Sequence, residues 1–362
     1  MFLKKTYPFI SLVVGTTTYL SALALGEGSA LSQVSDPELG GPLPGLTPKQ
    51  STAFQEGLEE FTEVETVEEG LGPVFNGKSC GECHAFPVVG GSSPELQVAR
   101  EVRIGRLLGG AFDPLAEQGG MLLQRRSVRG DVLSCPVGET VPAAATQVSL
   151  RITTPVFGAG LIEAASNTQI LRLADPDDRD HDGISGKVNR VFNPESRRFE
   201  IGRFGWKAHV PTLHLFSGDA YLNEMGITNP AFPQENLPQG QSIPRGCDGV
   251  PELEDDGEGV VGFTNFMQFL APAPRRPITK QAALGKRSFE QIGCASCHVP
   301  TLMTGAHPVR ALRFKPVNLF SDLLLHDMGP DLADGIEMGS AKGNEWRTAP
   351  LWGAVTTEVL HA

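Results

Sequence analysis

Positive charge is scarce in this chain of 362 residues, because 30 Lys and Arg residues stand against 42 Asp and Glu residues and give a net charge of −12 at pH 7. A protein that binds nucleic acid usually presents a basic surface to the phosphate backbone. We therefore expect no nucleic-acid partner. Long hydrophobic runs are also lacking after residue 30, so no later segment predicts a membrane-spanning helix.

The first 30 residues have the order of regions that is found in a secretory signal peptide. Lys4 and Lys5 precede an apolar stretch from Pro8 to Leu25, and small residues follow as far as Ala30. An uncleaved membrane anchor is the alternative interpretation. We expect residues 1–30 to be a signal peptide, residues 31–45 to be a linker, and the protein to be periplasmic, with membrane contact only if the signal is uncleaved.

Cysteine is sparse as well, but four of the six cysteines fall in two copies of the pattern C-x-x-C-H. In a helical turn, residues i and i+3 share one face, so two thiols can reach the vinyl groups of one porphyrin and the adjacent histidine can ligate its iron. The pattern predicts two covalently attached haems of the c type. The residues predicted to bind them are Cys80, Cys83, His84, Cys294, Cys297 and His298.

Two other uses of C-x-x-C fit the sequence less well. A thioredoxin-like redox motif needs a βαβ context, whereas Cys294 follows apolar or small residues at helical spacing between Ala282 and Ile292. A zinc site would require two cysteine pairs that are far apart in the sequence to converge on one ion, and it would leave the two histidines unexplained.

Each motif is preceded by a predicted helix, which favours a mainly α fold with two cytochrome c-like haem units. The first helix has a capping box at Thr47–Gln50, and a second capping box at Ser166–Gln169 predicts a short helix. We predict the first unit, with a large insertion, at 46–277 and the second at 278–362. The Gly- and Pro-rich region between the units should be long and irregular, and its acidic, proline-dense segment 228–277 should be a solvated connection.

Three strings of residues resemble a known family. Gly202–Lys207, Leu319–Pro330 and Glu345–Gly353 are similar to segments of the bacterial di-haem oxidoreductases, some of which are named thiol oxidoreductases, and more distantly to the di-haem cytochrome c peroxidases. The resemblance extends from about Leu46 to Leu360. It implies an oxidoreductase with one haem that relays electrons and one that reacts.

The resemblance departs from the family at the end of the given sequence. Family members continue past Leu360-His361 with an Asp-Gly-Arg segment and a closing helix, whereas this sequence stops at Ala362. A cytochrome c unit packs such a helix across its first helix. We therefore expect the second haem unit to be incomplete.

The spacing of histidine and methionine predicts different roles for the two haems. No histidine follows His84 until His181, so we expect the first haem to have an open, reactive position. Met328, in a loop-like Asp-Met-Gly-Pro context, is the predicted axial ligand of the second haem, with His326 and Met338 as rivals. Packing of Met328 within a loop is the alternative.

Four further residues are weaker candidates. Glu163 lies in an apolar, glycine-rich run and is predicted to transfer protons to bound peroxide, although it could instead be a surface residue at a helix start. The resemblance to the peroxidases implies that Trp206 relays electrons between the haems, and core packing is the alternative. Cys135 and Cys247 remain after haem attachment and are predicted to form a disulfide rather than two free thiols.

Asp178, Asp180 and Asp182, followed by Gly183, match the first half of an EF-hand-type calcium loop. Position 12 of that loop is Asn189, which cannot supply the bidentate carboxylate. The sequence therefore leaves two interpretations, a partial calcium site or a plain Asp-rich turn. The calcium that the resembled peroxidases bind between their haems favours the first.

Together these patterns predict an exported di-haem c-type cytochrome oxidoreductase. Its expected partners are a small redox protein or another electron donor or acceptor, and peroxide or an oxidisable substrate. The main alternative is an electron-transfer cytochrome without its own substrate, which would have two six-coordinate irons. A non-catalytic assembly or sensor protein is the third interpretation.

Overall fold

The computed structural model describes residues 38–93, 100–130, 134–250 and 253–352, which all belong to one compact unit. The predicted signal peptide and residues 31–37 of the predicted linker lie outside the described residues. In the described part of the chain, no helix is both long and apolar enough to cross a membrane.

Seven α-helices lie in the described ranges. They are α1 Pro48–Thr62, α2 Cys80–Cys83, α3 Ala159–Glu163, α4 Asn167–Leu173, α5 Leu213–Met225, α6 Glu258–Phe269 and α7 Lys280–Gln291. The predicted capping box is present at α1, where Thr47 and Gln50 satisfy each other's backbone N–H groups. The box predicted at α4 does not form, because Oε1 of Gln169 accepts a hydrogen bond from Met303 instead.

Twelve short strands are present in the same ranges: β1 Val74–Phe75, β2 Arg100–Leu108, β3 Ala111–Asp113, β4 Arg126–Ser127, β5 Gln147–Ile152, β6 Gly186–Lys187, β7 Arg190–Asn193, β8 Arg198–Ile201, β9 Leu302–Met303, β10 Pro316–Val317, β11 Leu325–Asp327 and β12 Glu345–Arg347. All of their pairings are antiparallel. The two three-stranded sheets have the orders β3–β2–β5 and β12–β11–β6, and the pairs are β1–β4, β7–β8 and β9–β10.

The prediction of a mainly α fold is wrong. Helices account for 28% and strands for 18% of the described structure, with several small sheets. Most of these strands lie in the region that the sequence predicts to be irregular. Strand β5 shows why it was missed: Ser149 and Arg151 face inward, where both bind Asp334, while Val148 and Leu150 are 49% and 58% exposed. Its apolar residues therefore lie on the opposite face from the one that alternation predicts.

The core lies where α1 packs against α6. A Cβ atom on Gly57 would come within 2.4 Å of the carbonyl oxygen of Gly262, so this close approach requires glycine. The rings of Phe54 and Phe61 lie 5.4 Å and 4.6 Å from that of Phe266. The prediction that 228–277 is a solvated connection is therefore wrong for its second half, since α6 is part of the core.

Candidate functional site

The first C-x-x-C-H motif forms one helical turn, α2. Oγ of Ser79 accepts a hydrogen bond from the backbone N–H of Glu82 at 3.0 Å and caps this turn. Nδ1 of His84 donates to the carbonyl oxygen of Gly91 at 3.1 Å. Because a neutral imidazole carries a single N–H, its Nε2 is left as a lone-pair donor for a metal. Neither cysteine of the motif is in a disulfide.

The second motif has the same kind of histidine contact but a different backbone conformation. Cys294–Ser296 is a 3₁₀ turn, and Nδ1 of His298 donates to the carbonyl oxygen of Phe320 at 2.8 Å. A phenylalanine ring from the preceding helix lies near each histidine: Phe61 is 5.9 Å from His84 and Phe289 is 6.3 Å from His298. Both histidines are thus oriented as haem-ligating histidines are, with one nitrogen held by a carbonyl group.

A cavity of about 160 Å³ opens beside the first motif. Cys80, Cys83 and His84 form part of one wall, and β2, β5, α5 and the loop Gly205–His209 contribute others. Two free thiols and a histidine with one free nitrogen, together in the wall of a cavity, are the donor set that a covalently attached porphyrin requires.

Burial controls the protonation of the motif residues in this cavity. It lowers the pKa of His84 to about 4, so the imidazole is neutral at pH 7. It also raises the pKa of the Cys80 thiol and raises that of Cys83 to about 12. The neutral imidazole is the form of histidine that binds a metal.

Polar side chains that sequence reasoning missed line the same cavity. Burial, reinforced by the nearby charge of Glu101, raises the pKa of Glu224 to about 7. Burial also raises the pKa of Asp219. Arg103 forms an ion pair with Glu101. Helix α5 carries both Asp219 and Glu224, and only the tertiary fold brings that helix to the cavity, so no local sequence signal could have found them.

The two predicted catalytic residues occupy different places. Trp206 lines the cavity, donates from Nε1 to the carbonyl oxygen of Ile152 at 3.1 Å, and packs edge-on against Trp346 with ring centroids 5.8 Å apart. Glu163 is not among the cavity-lining residues. Its Oε1 accepts the backbone N–H of Leu213 at 2.7 Å, at the start of α5. Its predicted role in proton transfer stays a prediction.

Near the second motif the structure brings together Cys297, Asp322 and His326. The sulfur of Cys297 lies 3.7 Å from Nδ1 of His326, and Nε2 of His326 donates to Asp322 at 2.8 Å. Burial acts to lower the pKa of His326, but the hydrogen bonds to Asp322 and Cys297 outweigh it and raise the pKa to about 10. One ligand atom from each of the three residues lies within 4.8 Å of the others, so the group could also hold a metal ion.

The other two axial-ligand candidates, Met328 and Met338, have different surroundings. Met328 is 48% exposed just beyond β11. The sulfur of Met338 is buried and lies 3.3 Å from Nη1 of Arg151. His326 contacts the second motif directly, but both of its ring nitrogens are engaged, by Cys297 and Asp322. Ligation by Met328 stays a prediction.

The remaining predicted site residues are placed as follows. Carboxylate oxygens of Asp178, Asp180 and Asp182 lie within 4.8 Å of one another on an exposed loop, and a bound calcium ion stays a prediction. Asn189 faces away from that loop, since its Oδ1 accepts from Ser340. The predicted disulfide between Cys135 and Cys247 is confirmed, with the two Cα atoms 5.3 Å apart.

Residues 137–362 match the family described as "Di-haem oxidoreductase, putative peroxidase". The match covers more than half of the chain. The chain belongs to this family. The resemblance found in the sequence is thus confirmed, and the protein is an oxidoreductase of a di-haem family. The matched range includes the second motif and begins after the first. No curated protein and no solved structure matches the chain.

Proposed function

We propose that the protein is an exported c-type cytochrome oxidoreductase with one haem at each C-x-x-C-H motif. The observation that carries this proposal is the shared geometry of His84 and His298, each of which donates its Nδ1 hydrogen to a backbone carbonyl beside a pair of free cysteines. A redox-disulfide motif gives no reason for that repeated orientation, and a zinc site would need cysteine pairs that are far apart in the sequence to converge on one ion.

We assign the reactive role to the first site. Haem iron supplies one-electron redox chemistry and, at an open position, a place for peroxide to bind. The chain surrounds this site with a cavity and with Glu224, whose pKa of about 7 lets its carboxyl group hold or release a proton at neutral pH. His84 would hold the iron through its Nε2, since its Nδ1 donates to Gly91. Peroxide or a small oxidisable molecule is the proposed substrate.

We assign electron transfer to the second site. Helix α7, which precedes this motif, has no buried residue, and Met328 is half-exposed. An electron donor or acceptor, such as a small redox protein, could therefore approach closely. Trp206 lines the first cavity and contacts Trp346 on β12, which pairs with His326 on β11. We propose that Trp206 relays electrons along this route.

The proposal of export rests on two features of the chain. The order of regions in residues 1–30 is that of a secretory signal. The disulfide between Cys135 and Cys247 is of the kind that persists in an oxidising compartment such as the periplasm. Calcium at Asp178, Asp180 and Asp182 is part of the proposal and is tested separately below.

The deciding experiment combines a haem count with the spin state of each iron. After denaturation the protein should retain two haems per chain, and Cys80→Ala and Cys294→Ala should each leave one site without its normal attachment. Optical and EPR spectra should show one high-spin iron that binds cyanide and one low-spin iron that does not. Zinc without porphyrin would overturn the proposal, and two low-spin irons that both ignore cyanide would favour the electron-transfer cytochrome.

A further inference from the structure

We propose that Arg151 and His209 form a carboxylate-binding pair in the first cavity, which holds a propionate group of the porphyrin attached at Cys80 and Cys83. This inference rests on the proposed function. Both side chains line the cavity, and each has a buried nitrogen without a hydrogen-bond partner, Nε of Arg151 and Nδ1 of His209. Buried polar atoms are almost always paired, so two unpaired atoms on side chains that line one cavity indicate a missing partner.

Arg151 defines the chemistry of that partner. The residue is only 3% exposed; its Nη2 donates to Asp334 at 2.7 Å and its Nη1 to the sulfur of Met338 at 3.3 Å. These contacts fix the guanidinium group. Its Nε–H remains, and because guanidinium nitrogens only donate, the missing partner must be an acceptor.

His209 supplies the second donor. Burial and the charges of Arg103, Arg151 and Arg347 keep its pKa well below the usual value, so the ring is neutral and can carry its single hydrogen on Nδ1. A Cβ atom on Gly205 would come within 2.2 Å of Cε1 of His209, so the backbone of Gly205 packs directly against the ring and limits its movement. His84 and His298 differ, because a carbonyl group already occupies their Nδ1.

The surrounding charges favour an anion over a neutral acceptor. Arg103 is paired with Glu101 and Arg151 with Asp334, whereas Arg347 donates from Nε to the carbonyl oxygen of Gly205. Among the described residues Arg347 forms no direct ion pair, although the charge of Asp322 acts on it from further away. A carboxylate would accept hydrogen bonds from both unpaired N–H groups and would offset the charge of Arg347. Hydrogen bonds to a charged acceptor are stronger than those between neutral groups.

The porphyrin brings such carboxylates to this place. Its two vinyl groups, which join the cysteines, and its two propionates lie on different edges of the ring. Attachment at Cys80 and Cys83 therefore directs the propionates away from α2. Arg151 is on β5 and His209 follows Gly205, so the pair comes from walls of the cavity that carry neither cysteine.

The test uses the complete haem-loaded protein and a matched pair of substitutions. His209→Leu removes the donor, whereas His209→Asn keeps an N–H close to the position of Nδ1. We expect His209→Leu to shift the propionate-bending band of the first haem in the resonance Raman spectrum. At a fixed applied potential it should also lower the reduced-to-oxidised ratio of that haem about tenfold, because an unpaired propionate charge favours ferric iron. His209→Asn should retain most of both signals.

Two further variants keep the result interpretable. Arg151→Lys preserves a cation for Asp334 but removes Nε, and it should shift the same band. His214→Leu, at an exposed histidine that pairs with Glu195, should leave the band unchanged. If Arg151→Lys does not fold, the comparison of His209→Leu with His209→Asn still tests the inference.

Each outcome has a distinct meaning. Two covalently bound haems with an unchanged propionate band in His209→Leu would overturn this inference and leave the proposed function intact. Absence of haem from the wild-type protein would overturn the proposed function itself. If added acetate perturbs the wild-type spectrum but not that of His209→Leu, and the propionate band is the same in both, the pair binds a free carboxylate and our assignment to the propionate is wrong.

Discussion

The two C-x-x-C-H motifs orient their histidines in the same way but have different surroundings. Helix α1, before the first motif, buries Phe54 and Phe61 against α6, whereas α7, before the second, has no buried residue and is followed by Ile292, which is 74% exposed. The comparison separates two requirements. Orientation of the ligating histidine needs one carbonyl group and one turn, which a short stretch of sequence can specify. Enclosure of the site needs distant elements, and the described structure provides it at the first motif.

The different surroundings also separate the chemistry of the two sites. The first site places Asp219 and Glu224 in a cavity, where burial raises the pKa of each carboxyl group. The second places Asp322 against His326, where hydrogen bonds to Asp322 and Cys297 outweigh burial and raise the pKa of the histidine. The first site therefore has carboxyl groups that are suited to proton transfer, whereas the carboxylate at the second site is held by a hydrogen bond to His326.

The largest expected effect comes from loss of the disulfide between Cys135 and Cys247. The double substitution Cys135→Ala/Cys247→Ala should lower the free energy of unfolding by about 2–4 kcal/mol, because the bridge restricts a long loop in the unfolded chain. Denaturant unfolding measures the change. Equal stability of the variant and the wild type would contradict a structural role for the bridge.

The next prediction sharpens the comparison at the second site. We expect His326→Ala to change the spin state or reduction potential of the second haem more than Met328→Ala does, because His326 lies 3.7 Å from the sulfur of Cys297 and Met328 is half-exposed. EPR and a redox titration provide the measurement, and the first haem serves as the internal control. If Met328→Ala alone makes the second haem high-spin, the thioether is its ligand, as the sequence predicts.

The sequence predicted the motifs well because their signals are local. The capping box at Thr47 and the helix before Cys294 depend on a few neighbouring residues, and both are present. The pairing of Cys135 with Cys247 was predicted because these are the two cysteines that remain after haem attachment. The matched family also bears out the resemblance that three short strings carried.

The sequence failed where distant residues set the pattern. Strand β5 turns Arg151 inward because Asp334, far along the chain, pairs with it, so its alternation is misleading. Helix α6 was hidden by the acidic run before it, although Val260, Phe263 and Met267 have helical spacing. His209 was missed because a single histidine gives no sign of the cavity that it lines.

A smaller effect concerns a carboxylate cluster near the disulfide. Burial and the charge of Glu254 raise the pKa of Glu235 to about 9, and Asp248 lies in the same group. Since the folded state binds this proton more tightly, the stabilisation is complete below pH 4.5 and is lost as the pH rises through 9. We expect Glu235→Gln to raise the free energy of unfolding at pH 9 by about 1 kcal/mol, which is modest because solvent screens part of the repulsion. Thermal unfolding at pH 5 and pH 9 measures this difference, and an equal effect at both would contradict it.

The smallest effect is expected from calcium at Asp178, Asp180 and Asp182. Binding to the folded state alone would stabilise it by mass action, so a chelator should lower the melting temperature by a few degrees. The loop precedes β6, in which Gly186 pairs with His326 on β11. Calcium removal should therefore perturb the second haem more than the first. Asp180→Asn should abolish the response to calcium, whereas Asp177→Asn, outside the cluster, should retain it. Identical melting curves with and without calcium would leave this loop as an Asp-rich turn.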